Sequence, residues 1–496
     1  MPEPSVPSVP RVSPARAIGV VGAGTMGSGI AQLAARSGAR TLLHDPLTEA
    51  LQRGAVRARD GLAKEAAKGR LKAEEADAAA ARIQTVDALE AMAECELVIE
   101  AAPERLELKH ELYARLAEIV STECILASNT SSLPITAIAS AVPHPERVVG
   151  MHFFNPAPLM RLLEVVAGAL SDERSLALAD ATGRAMGKDT IRAADGPGFL
   201  VNRCNRPFGL EALRLLGERI ADVQTIDRIV RLGGGFRMGP FELSDLVGVD
   251  TGFDVALSFH ELSFGEPRWR PSPIQAQRVA AGLHGRKTGR GYYDYSRDPH
   301  RPPDPDPPPG GAGAIVQGEG PVADALRARA HDGTGPTIAV GGLGGTVAGE
   351  PFYALVPLGL VEVTGDAGEA AFQGLGLHTA RVRPAPGGVL GRIACQLVNE
   401  SAFALGEGVG SARDIDTGMT LGLNHPRGPL AWGDTLGLDT VLATLEALWE
   451  EYREERYRPA PVLRRLVREG RLGHASGAGF FDYRSHGAAS AQQDPG

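Results

Sequence analysis

The chain has 496 residues, of which 43% are hydrophobic and 22% are charged, and its formal net charge is −9 at pH 7. This length predicts a globular protein of roughly two to four domains. The acidic balance argues against binding of nucleic acids or anionic membranes, because such proteins usually carry a basic excess. Acyl-CoA and nucleotide substrates stay open, since a local basic patch can exist on an acidic protein.

Compartment and tails follow from the cysteines and the chain ends. Residues 1–15 lack the basic region and apolar core of a secretory signal, so we predict a disordered tail there and another at 486–496. No apolar run reaches the roughly 18 residues that cross a bilayer, and we expect a cytoplasmic protein. Scattered cysteines without a Cys-x-x-Cys pair predict buried thiols in a reducing compartment; they are Cys95, Cys124, Cys204 and Cys395.

From residue 16 to 195, apolar strands alternate with helical stretches, which predicts a parallel, doubly wound α/β sheet. The stretch 48–82 is too long for a simple crossover and contains Gly61 and Gly69, so it predicts a helical hairpin. Strands are predicted at 17–21, 41–43, 97–99, 125–127 and 148–154, and helices at 25–37 and 106–120.

Three glycines directly follow the first strand, in the stretch A-I-G-V-V-G-A-G-T-M-G. Gly22 permits a tight turn, Gly24 lets the backbone approach a pyrophosphate, and Gly27 brings the helix against the sheet. Asp45 ends the next strand 18 residues after Gly27. It can accept both ribose hydroxyls and would repel a 2′-phosphate, and no arginine follows it closely. The sequence therefore predicts a dinucleotide site that prefers NAD to NADP.

A second pattern with chemical meaning is G-M-H-F-F-N-P at 150–156. His152 ends an apolar run, and Glu164 lies in another apolar run 12 residues later. Two neighbouring strands would bring these side chains together. A carboxylate beside one imidazole nitrogen fixes the tautomer and makes the other nitrogen a better base for an alcohol proton. Alone, His152 would more often be a hydrogen-bonded core histidine, but with Glu164 and this motif we interpret it as a base.

After Gly196-Pro197-Gly198 the chain becomes helical and then repeats itself at an offset of 189 residues, as between Asp227 and Asp416. The repeat predicts two copies of an all-α domain but one strand-helix domain with the glycine turn. The matched stretches are 226–250 with 415–439 and 285–295 with 473–483, and the predicted copies are 196–297 and 387–485.

Between the copies, a Pro-rich tract predicts a semi-rigid linker at 298–312. Residues 313–386 mix short apolar runs with glycines and predict a small or degenerate α/β unit. Its G-G-L-G-G is interpreted as a structural turn, because no acidic residue ends a clear following strand.

These motifs together resemble the L-3-hydroxyacyl-CoA dehydrogenase family. The motifs run in family order from residue 17 to 295: G-A-G-T-M-G, V-I-E-A-A-P-E, S-N-T-S-S-L, H-F-F-N-P, L-x-E-V-V, D-x-P-G-F-L-V-N-R and K-T-G-x-G-Y-Y. The resemblance implies a Rossmann-like NAD domain followed by helical domains. It implies NAD as cofactor and oxidation of (3S)-3-hydroxyacyl-CoA to 3-ketoacyl-CoA, in fatty-acid or phenylacetate-type aromatic catabolism. Some longer bacterial members act on 3-hydroxyadipyl-CoA.

The resemblance also implies roles for individual residues. His152 would be the general base, oriented by Glu164, while Ser131 and Asn202 would hydrogen-bond the substrate oxygens. Lys68 would contact the CoA moiety, and no metal is expected. The positions implied at the NAD site are Gly22, Gly24, Thr25, Met26, Gly27, Asp45, Ala102, Glu104, Lys109, Ser131, Asn155 and Lys287.

Four of these residues have simpler interpretations. Asn202 and Ser131 would also serve as caps at helix starts. Lys68 and Lys109 would also suit a solvated helix face.

The second helical copy lacks polar residues of the first: Asn202 falls opposite Gly391, and Lys287 opposite Ala475. We therefore expect a structural copy that contacts the first as one subunit contacts another in a dimer. Further homo-oligomer formation stays open.

Two other functions stay open. One is another β-hydroxyacid dehydrogenase, which would use a catalytic lysine and which H-F-F-N-P disfavours. The other is a crystallin-like protein of this fold that binds NAD and catalyses little, which the intact His152, Glu164, Ser131 and Asn202 disfavour.

Overall fold

The computed structural model describes residues 12–331 and 333–484. Most of the two predicted tails lies outside these residues, and Ala15, at the described end of the first, is buried. The chain divides into two compact units. The first comprises the described residues up to Leu200 together with Val409–Gly422, and the second comprises Val201–Gly408 and the described residues from Leu423 onward.

The first unit is built on a sheet with the strand order β3-β2-β1-β4-β5-β6-β7-β8. Neighbouring strands pair in parallel, except that β7 runs antiparallel to β6. Near-continuous apolar runs suit these strands because helices cover both faces of such a sheet. The predicted α/β Rossmann-like class is confirmed. The strands are β1 Ala17–Val21, β2 Arg40–His44, β3 Ile83–Thr85, β4 Leu97–Glu100, β5 Ile125–Ser128, β6 Val148–Phe153, β7 Leu162–Ala167 and β8 Asp189–Ala194.

The helices of this unit include the predicted hairpin, formed by α2 and α3. Their small residues allow close packing, since a Cβ at Gly54 would collide with Ala23 in the glycine turn. The helices are α1 Thr25–Arg36, α2 Thr48–Ala67, α3 Ala73–Arg82, α4 Leu106–Ile119, α5 Ile135–Ala139 and α6 Glu173–Ala185.

A short segment from the second repeat completes the first unit. The carbonyl of Val409 accepts the N–H of Ala194 at the end of β8, at 2.8 Å. Gly422 packs against Leu162 and Phe154 so closely that a Cβ there would lie 2.7 Å from the Leu162 side chain. The sequence repeat alone places these residues in the second helical copy, because it carries no record of this long-range contact.

The second unit contains both helical copies. The first copy comprises α7 Val201–Gly217, α8 Val223–Arg228, α9 Pro240–Val247, α10 Val249–Leu262 and α11 Pro273–Ala280. The second copy comprises α14 Leu390–Gly406, α15 Ala412–Leu423, α16 Pro429–Leu436, α17 Leu438–Tyr452 and α18 Pro461–Arg468, with α15 lying largely in the first unit.

Helices α7 and α14 pack on each other and exchange buried arginines reciprocally. Arg203 of α7 binds glutamates of the second copy, and Arg392, its repeat equivalent, binds the equivalent glutamates of the first. The distances are 3.0 Å for Arg203–Glu400, 2.6 Å for Arg203–Glu407, 2.8 Å for Arg392–Glu211 and 2.6 Å for Arg392–Glu218. This exchange is the pattern of a two-fold symmetric interface, here within one chain.

The Pro-rich tract is fastened to the first copy. Asp304 accepts hydrogen bonds from Arg231 at 2.9 and 3.1 Å, and Arg301 donates to Glu242 at 3.0 Å. These contacts fix the segment that was predicted to be a linker.

Between the copies lies a second sheet with the order β14-β13-β12-β11-β10-β9. The G-G-L-G-G stretch forms the tight turn between β10 and β11, where Gly342 has a φ of 60°. The elements are β9 Ile315–Gln317, α12 Pro321–Arg327, β10 Thr337–Gly341, β11 Gly344–Val347, β12 Glu350–Tyr353, β13 Leu360–Val363, α13 Asp366–Gly374 and β14 His378–Arg381.

One edge of this sheet repeats the edge of the first. β12 is antiparallel to β13, and β13 is parallel to β14, as for β6, β7 and β8. Glu362 on β13 lies opposite Tyr353, just as Glu164 on β7 lies opposite His152. The duplication therefore extends beyond the helical domain into strands of the α/β domain.

Other features bear on the class of protein. Each of the four cysteines is a buried free thiol, as predicted. Within residues 12–331 and 333–484, no helix is long and apolar enough to span a bilayer. The same residues contain no cluster of histidine, cysteine and carboxylate side chains suited to a metal ion.

Candidate active site

The glycine turn between β1 and α1 has the shape of a phosphate cradle. Gly22 has a φ of 99°, and a Cβ there would lie 2.6 Å from the carbonyl oxygen of Ala101. A Cβ at Gly27 would overlap the carbonyl oxygen of Gly22, whereas one at Gly24 would meet no described atom within 4 Å. Two glycines close the turn, and the third leaves an open face at the N-terminus of α1. These features fit a bound dinucleotide.

Asp45 is tied directly to this turn. Its Oδ2 accepts the N–H of Ala23 at 2.8 Å, and its Oδ1 accepts the N–H of Leu47 at 2.9 Å. The carboxylate is partly exposed beside the turn, a position suited to ribose hydroxyls. Thr25 and Met26 form the first turn of α1 next to it.

A buried lysine organises the neighbouring loops. Lys109 Nζ lies 2.6 Å from Glu100 Oε1 and 3.4 Å from Glu104 Oε2, and the lysine side chain is 1% exposed. Glu104 Oε1 in turn accepts the hydroxyl of Thr130 at 2.9 Å and the N–H of Ser131 at 2.7 Å. Lys109 is therefore no surface lysine, and its contribution to the site is to hold the loop that carries Ser131.

His152 and Glu164 face each other on adjacent strands. Nδ1 of His152 lies 2.6 Å from Oε2 of Glu164, and their side chains are 6% and 0% exposed. With the carboxylate at Nδ1, that nitrogen carries the proton and Nε2 is left to accept one. The rings of Phe154 and Phe199 flank the imidazole, with centroids at 4.7 and 5.8 Å. This pair is the geometry of an oriented general base.

The loop between β6 and β7 begins at Asn155, which is exposed. Lys188 holds this loop by donating to the carbonyls of Ala157 at 2.5 Å and Met160 at 2.7 Å. Burial, with a smaller contribution from the charge of Arg36, lowers the pKa of Lys188 to about 8.

Lys68 lines a cavity of about 290 Å³ in the first unit. Arg57, Lys64 and Arg70 line the same cavity, with Glu65 as the acidic residue among its described lining. A cluster of cations of this kind suits the phosphates of a CoA molecule.

Two predicted site residues belong to the second unit. Asn202 lies in the first turn of α7 and lines a cavity of about 330 Å³ there. Lys287 is 47% exposed, and its Nζ lies 2.6 Å from Asp250 Oδ2, so its charge is already paired.

The comparisons with known proteins agree with these features. Residues 17–196 match the family model "3-hydroxyacyl-CoA dehydrogenase, NAD binding domain", and residues 198–295 and 387–483 each match "3-hydroxyacyl-CoA dehydrogenase, C-terminal domain". The chain belongs to the 3-hydroxyacyl-CoA dehydrogenase family. It is thus an NAD-dependent oxidoreductase whose C-terminal family domain is duplicated, as the resemblance and the repeat predicted.

Full-length relatives share this arrangement. The chain is 39% identical over 469 residues to 3-hydroxyadipyl-CoA dehydrogenase of Escherichia coli K12, covering 90% of this chain and 96% of that one. A crystal structure of 3-hydroxybutyryl-CoA dehydrogenase from the same species has a TM-score of 0.80 at 35% identity, covering 92% and 99%. The shorter probable 3-hydroxybutyryl-CoA dehydrogenase of Deinococcus radiodurans is 41% identical over 277 residues, which are 56% of this chain and 99% of the relative.

Sequence reasoning missed several residues that shape the site. Glu100 accepts the N–H of Ala102 at 2.6 Å and the hydroxyl of Ser128 at 2.7 Å. An acidic residue at the end of an otherwise apolar strand was the available signal. Lys188 and Arg206 also escaped notice, because a single basic residue in a helical or strand pattern usually lies on the surface.

Proposed function

We propose that this enzyme oxidises (3S)-3-hydroxyacyl-CoA to 3-ketoacyl-CoA, with His152 as the general base. The observation that carries the proposal is the buried contact of 2.6 Å between His152 Nδ1 and Glu164 Oε2. A neutral imidazole held in this tautomer presents Nε2 as a proton acceptor. The alcohol proton would pass to Nε2 as the C3 hydride leaves the substrate.

Each remaining group has a part consistent with this reaction. NAD⁺, when bound, accepts the hydride. Asp45 and the glycine turn would hold the dinucleotide, and the loop fixed by Lys109 would place the Ser131 hydroxyl for a substrate oxygen. Asn202 would donate a second hydrogen bond to the substrate. A base positioned in this way contributes roughly 10²–10⁴-fold to the rate.

The CoA portion would use the basic cavity around Lys68. Four cations line it, and pyrophosphate and 3′-phosphate groups need such a surface. The names of the relatives point to both short and dicarboxylic acyl groups. A place in fatty-acid or aromatic catabolism is consistent with either.

A stopped assay separates this proposal from an NAD-binding protein of low activity. Wild type should oxidise NADH with acetoacetyl-CoA, and His152→Gln should lose roughly 10²–10⁴-fold in kcat while it keeps its NADH affinity and its unfolding midpoint. An unchanged kcat in the variant would remove His152 from the mechanism. Wild type that binds NADH without turnover would favour the crystallin-like alternative.

A further inference from the structure

The cavity beside Asn202 in the second unit contains an arginine with no charged partner. Its wall is mostly apolar, and Arg206 is the one charged residue among its described lining. Within the described residues, no carboxylate lies within ion-pair distance of Arg206, and its Nε makes no hydrogen bond. The guanidinium carbon lies 4.7 Å from the centre of the Phe259 ring. Burial without a compensating acid lowers the pKa of Arg206 to about 10.

A second unsatisfied donor lines the same cavity. The hydroxyl of Tyr292 is buried and has no hydrogen-bond partner in the described structure. Leaving a buried donor unpaired costs about 1–3 kcal/mol, and an uncompensated charge costs more, so proteins seldom keep such groups without a use. Two donors of this kind in one apolar cavity point to a ligand that brings acceptors and negative charge.

The position of Arg206 on the helix ties the cavity to the substrate. Residues four apart lie on one face of a helix, so Asn202 and Arg206 present their side chains to the same side of α7. Asn202 is the residue that would contact the substrate near C3. Arg206 would then lie further along the same face, where the far end of an acyl chain would extend.

The second helical copy provides an internal comparison. At the offset that relates the copies, Arg206 corresponds to Cys395, Asn202 to Gly391 and Tyr292 to Phe480. Cys395 is fully buried, and the aromatic ring at position 480 keeps its place without the hydroxyl. The fold therefore needs neither the guanidinium nor the phenol. The copy that carries Asn202 keeps both.

We propose that this cavity holds the distal end of the acyl chain and that Arg206 binds a terminal carboxylate there, so that the enzyme prefers 3-hydroxy dicarboxylic acyl thioesters. This inference rests on the proposed function, because the role of Asn202 links the cavity to the substrate. The Tyr292 hydroxyl would donate a second hydrogen bond to the same carboxylate. Phosphates of the CoA moiety are the competing source of negative charge.

Two acyl-CoAs of equal chain length separate these sources: 3-hydroxyadipyl-CoA, which ends in a carboxylate, and 3-hydroxyhexanoyl-CoA, which ends in a methyl group. Wild type should show a higher kcat/KM for the first. Arg206→Met should lose roughly 10²-fold in kcat/KM for 3-hydroxyadipyl-CoA, because a buried carboxylate would be left unpaired, and should change little for 3-hydroxyhexanoyl-CoA. Arg206→Lys should fall between the two.

Tyr292→Phe is the second variant, and the second copy shows that phenylalanine fits at this position. It should lose about tenfold with the dicarboxylic substrate alone, as expected for one hydrogen bond to a charged group. Arg465→Met removes an exposed arginine of the second copy and controls for the loss of one positive charge. Unfolding midpoints should be unchanged or higher in Arg206→Met, since an uncompensated buried charge is removed.

Calorimetric binding of adipyl-CoA and hexanoyl-CoA in the presence of NAD⁺ tests the inference without turnover. Tighter binding of adipyl-CoA by wild type, abolished in Arg206→Met, supports it. Equal affinities in wild type overturn it even if the dehydrogenase activity is present. Equal losses for both ligands in Arg206→Met would place the arginine on the CoA moiety and also overturn it. Absence of turnover with either substrate would reject the proposed function, and the binding preference would still decide the role of Arg206.

Discussion

In the first half of the chain, a histidine faces Glu164 across two antiparallel strands, and in the second half Tyr353 faces Glu362 across the equivalent strands. Both carboxylates also bind the backbone ahead of a long helix. Glu164 accepts the N–H of Leu200 at 3.2 Å. Glu362 accepts the N–H groups of Val389 and Leu390, at 2.7 and 2.9 Å, at the start of α14.

The difference between the halves separates two tasks of one side chain. The carboxylate is kept where the imidazole is gone, so its bonds to the backbone suffice to explain it in the second half. Only the first half adds a base, a glycine turn and the polar residues near Asn202. Where Asn202 borders a cavity, Gly391 instead packs near Leu343 and Leu355 of the inserted sheet.

The reciprocal arginines should show the largest effect, and the effect should be similar in both halves. Arg392→Met leaves buried Glu211 without one of its cations, and Arg203→Met does the same to Glu400. Each should lower the free energy of unfolding by about 3 kcal/mol, because a buried charge loses its partner. Denaturant titration measures this. Removal of an exposed cation, as in Arg327→Met, should change little, and an equally small change in Arg392→Met would show that the interface does not depend on the exchange.

The two carboxylates should differ in their effect on catalysis. Glu164→Gln should lower kcat by about 10²-fold, roughly 2.7 kcal/mol, because the imidazolium that forms in the reaction loses its counter-charge. Glu362→Gln should leave kcat unchanged, since Tyr353 lacks a base. Steady-state NADH formation under saturating substrate measures both. Similar losses in the two variants would mean that Glu164 acts through the backbone alone.

The pH dependence of stability should sharpen the same comparison by a smaller amount. Burial raises the pKa of Glu362 from its ordinary value of 4.5 to about 7, against the lowering effect of the two N–H groups it accepts. The folded state thus holds this proton at pH values where the unfolded chain has lost it. The stabilising contribution is complete below pH 4.5 and is lost as the pH rises through 7, with a slope of at most about 1.4 kcal/mol per pH unit.

Unfolding midpoints of wild type and Glu362→Gln at about pH 5 and about pH 8 isolate this group from the other titrating residues. Wild type should lose more stability than the variant as the pH rises. Parallel declines would assign the pH dependence to other groups.

Local patterns predicted the parts of the molecule that local physics determines. The glycine turn, Asp45 and the pairing of His152 with Glu164 follow from strand alternation and from the conformations that glycine alone adopts easily. The helical hairpin followed from length and from its small residues.

What escaped depends on distant contacts or on weak similarity. The packing of Val409–Gly422 in the first unit has no local signal. The strands of the inserted sheet keep the pairing of the first sheet but few of its residues, so Glu362 could not be matched to Glu164 before the register was known. Arg206 became informative only when the absence of an acid near it, within the described structure, was established.

The exchange of arginines between α7 and α14 has a consequence for how the molecule behaves on dilution. Two separate subunits dissociate when their concentration falls below the dissociation constant, whereas two copies on one chain meet at an effective concentration set by the connecting segment. Their association is then independent of protein concentration. A substitution also enters one copy without its mirror image, which leaves one copy free to lose its reactive groups while the other retains them.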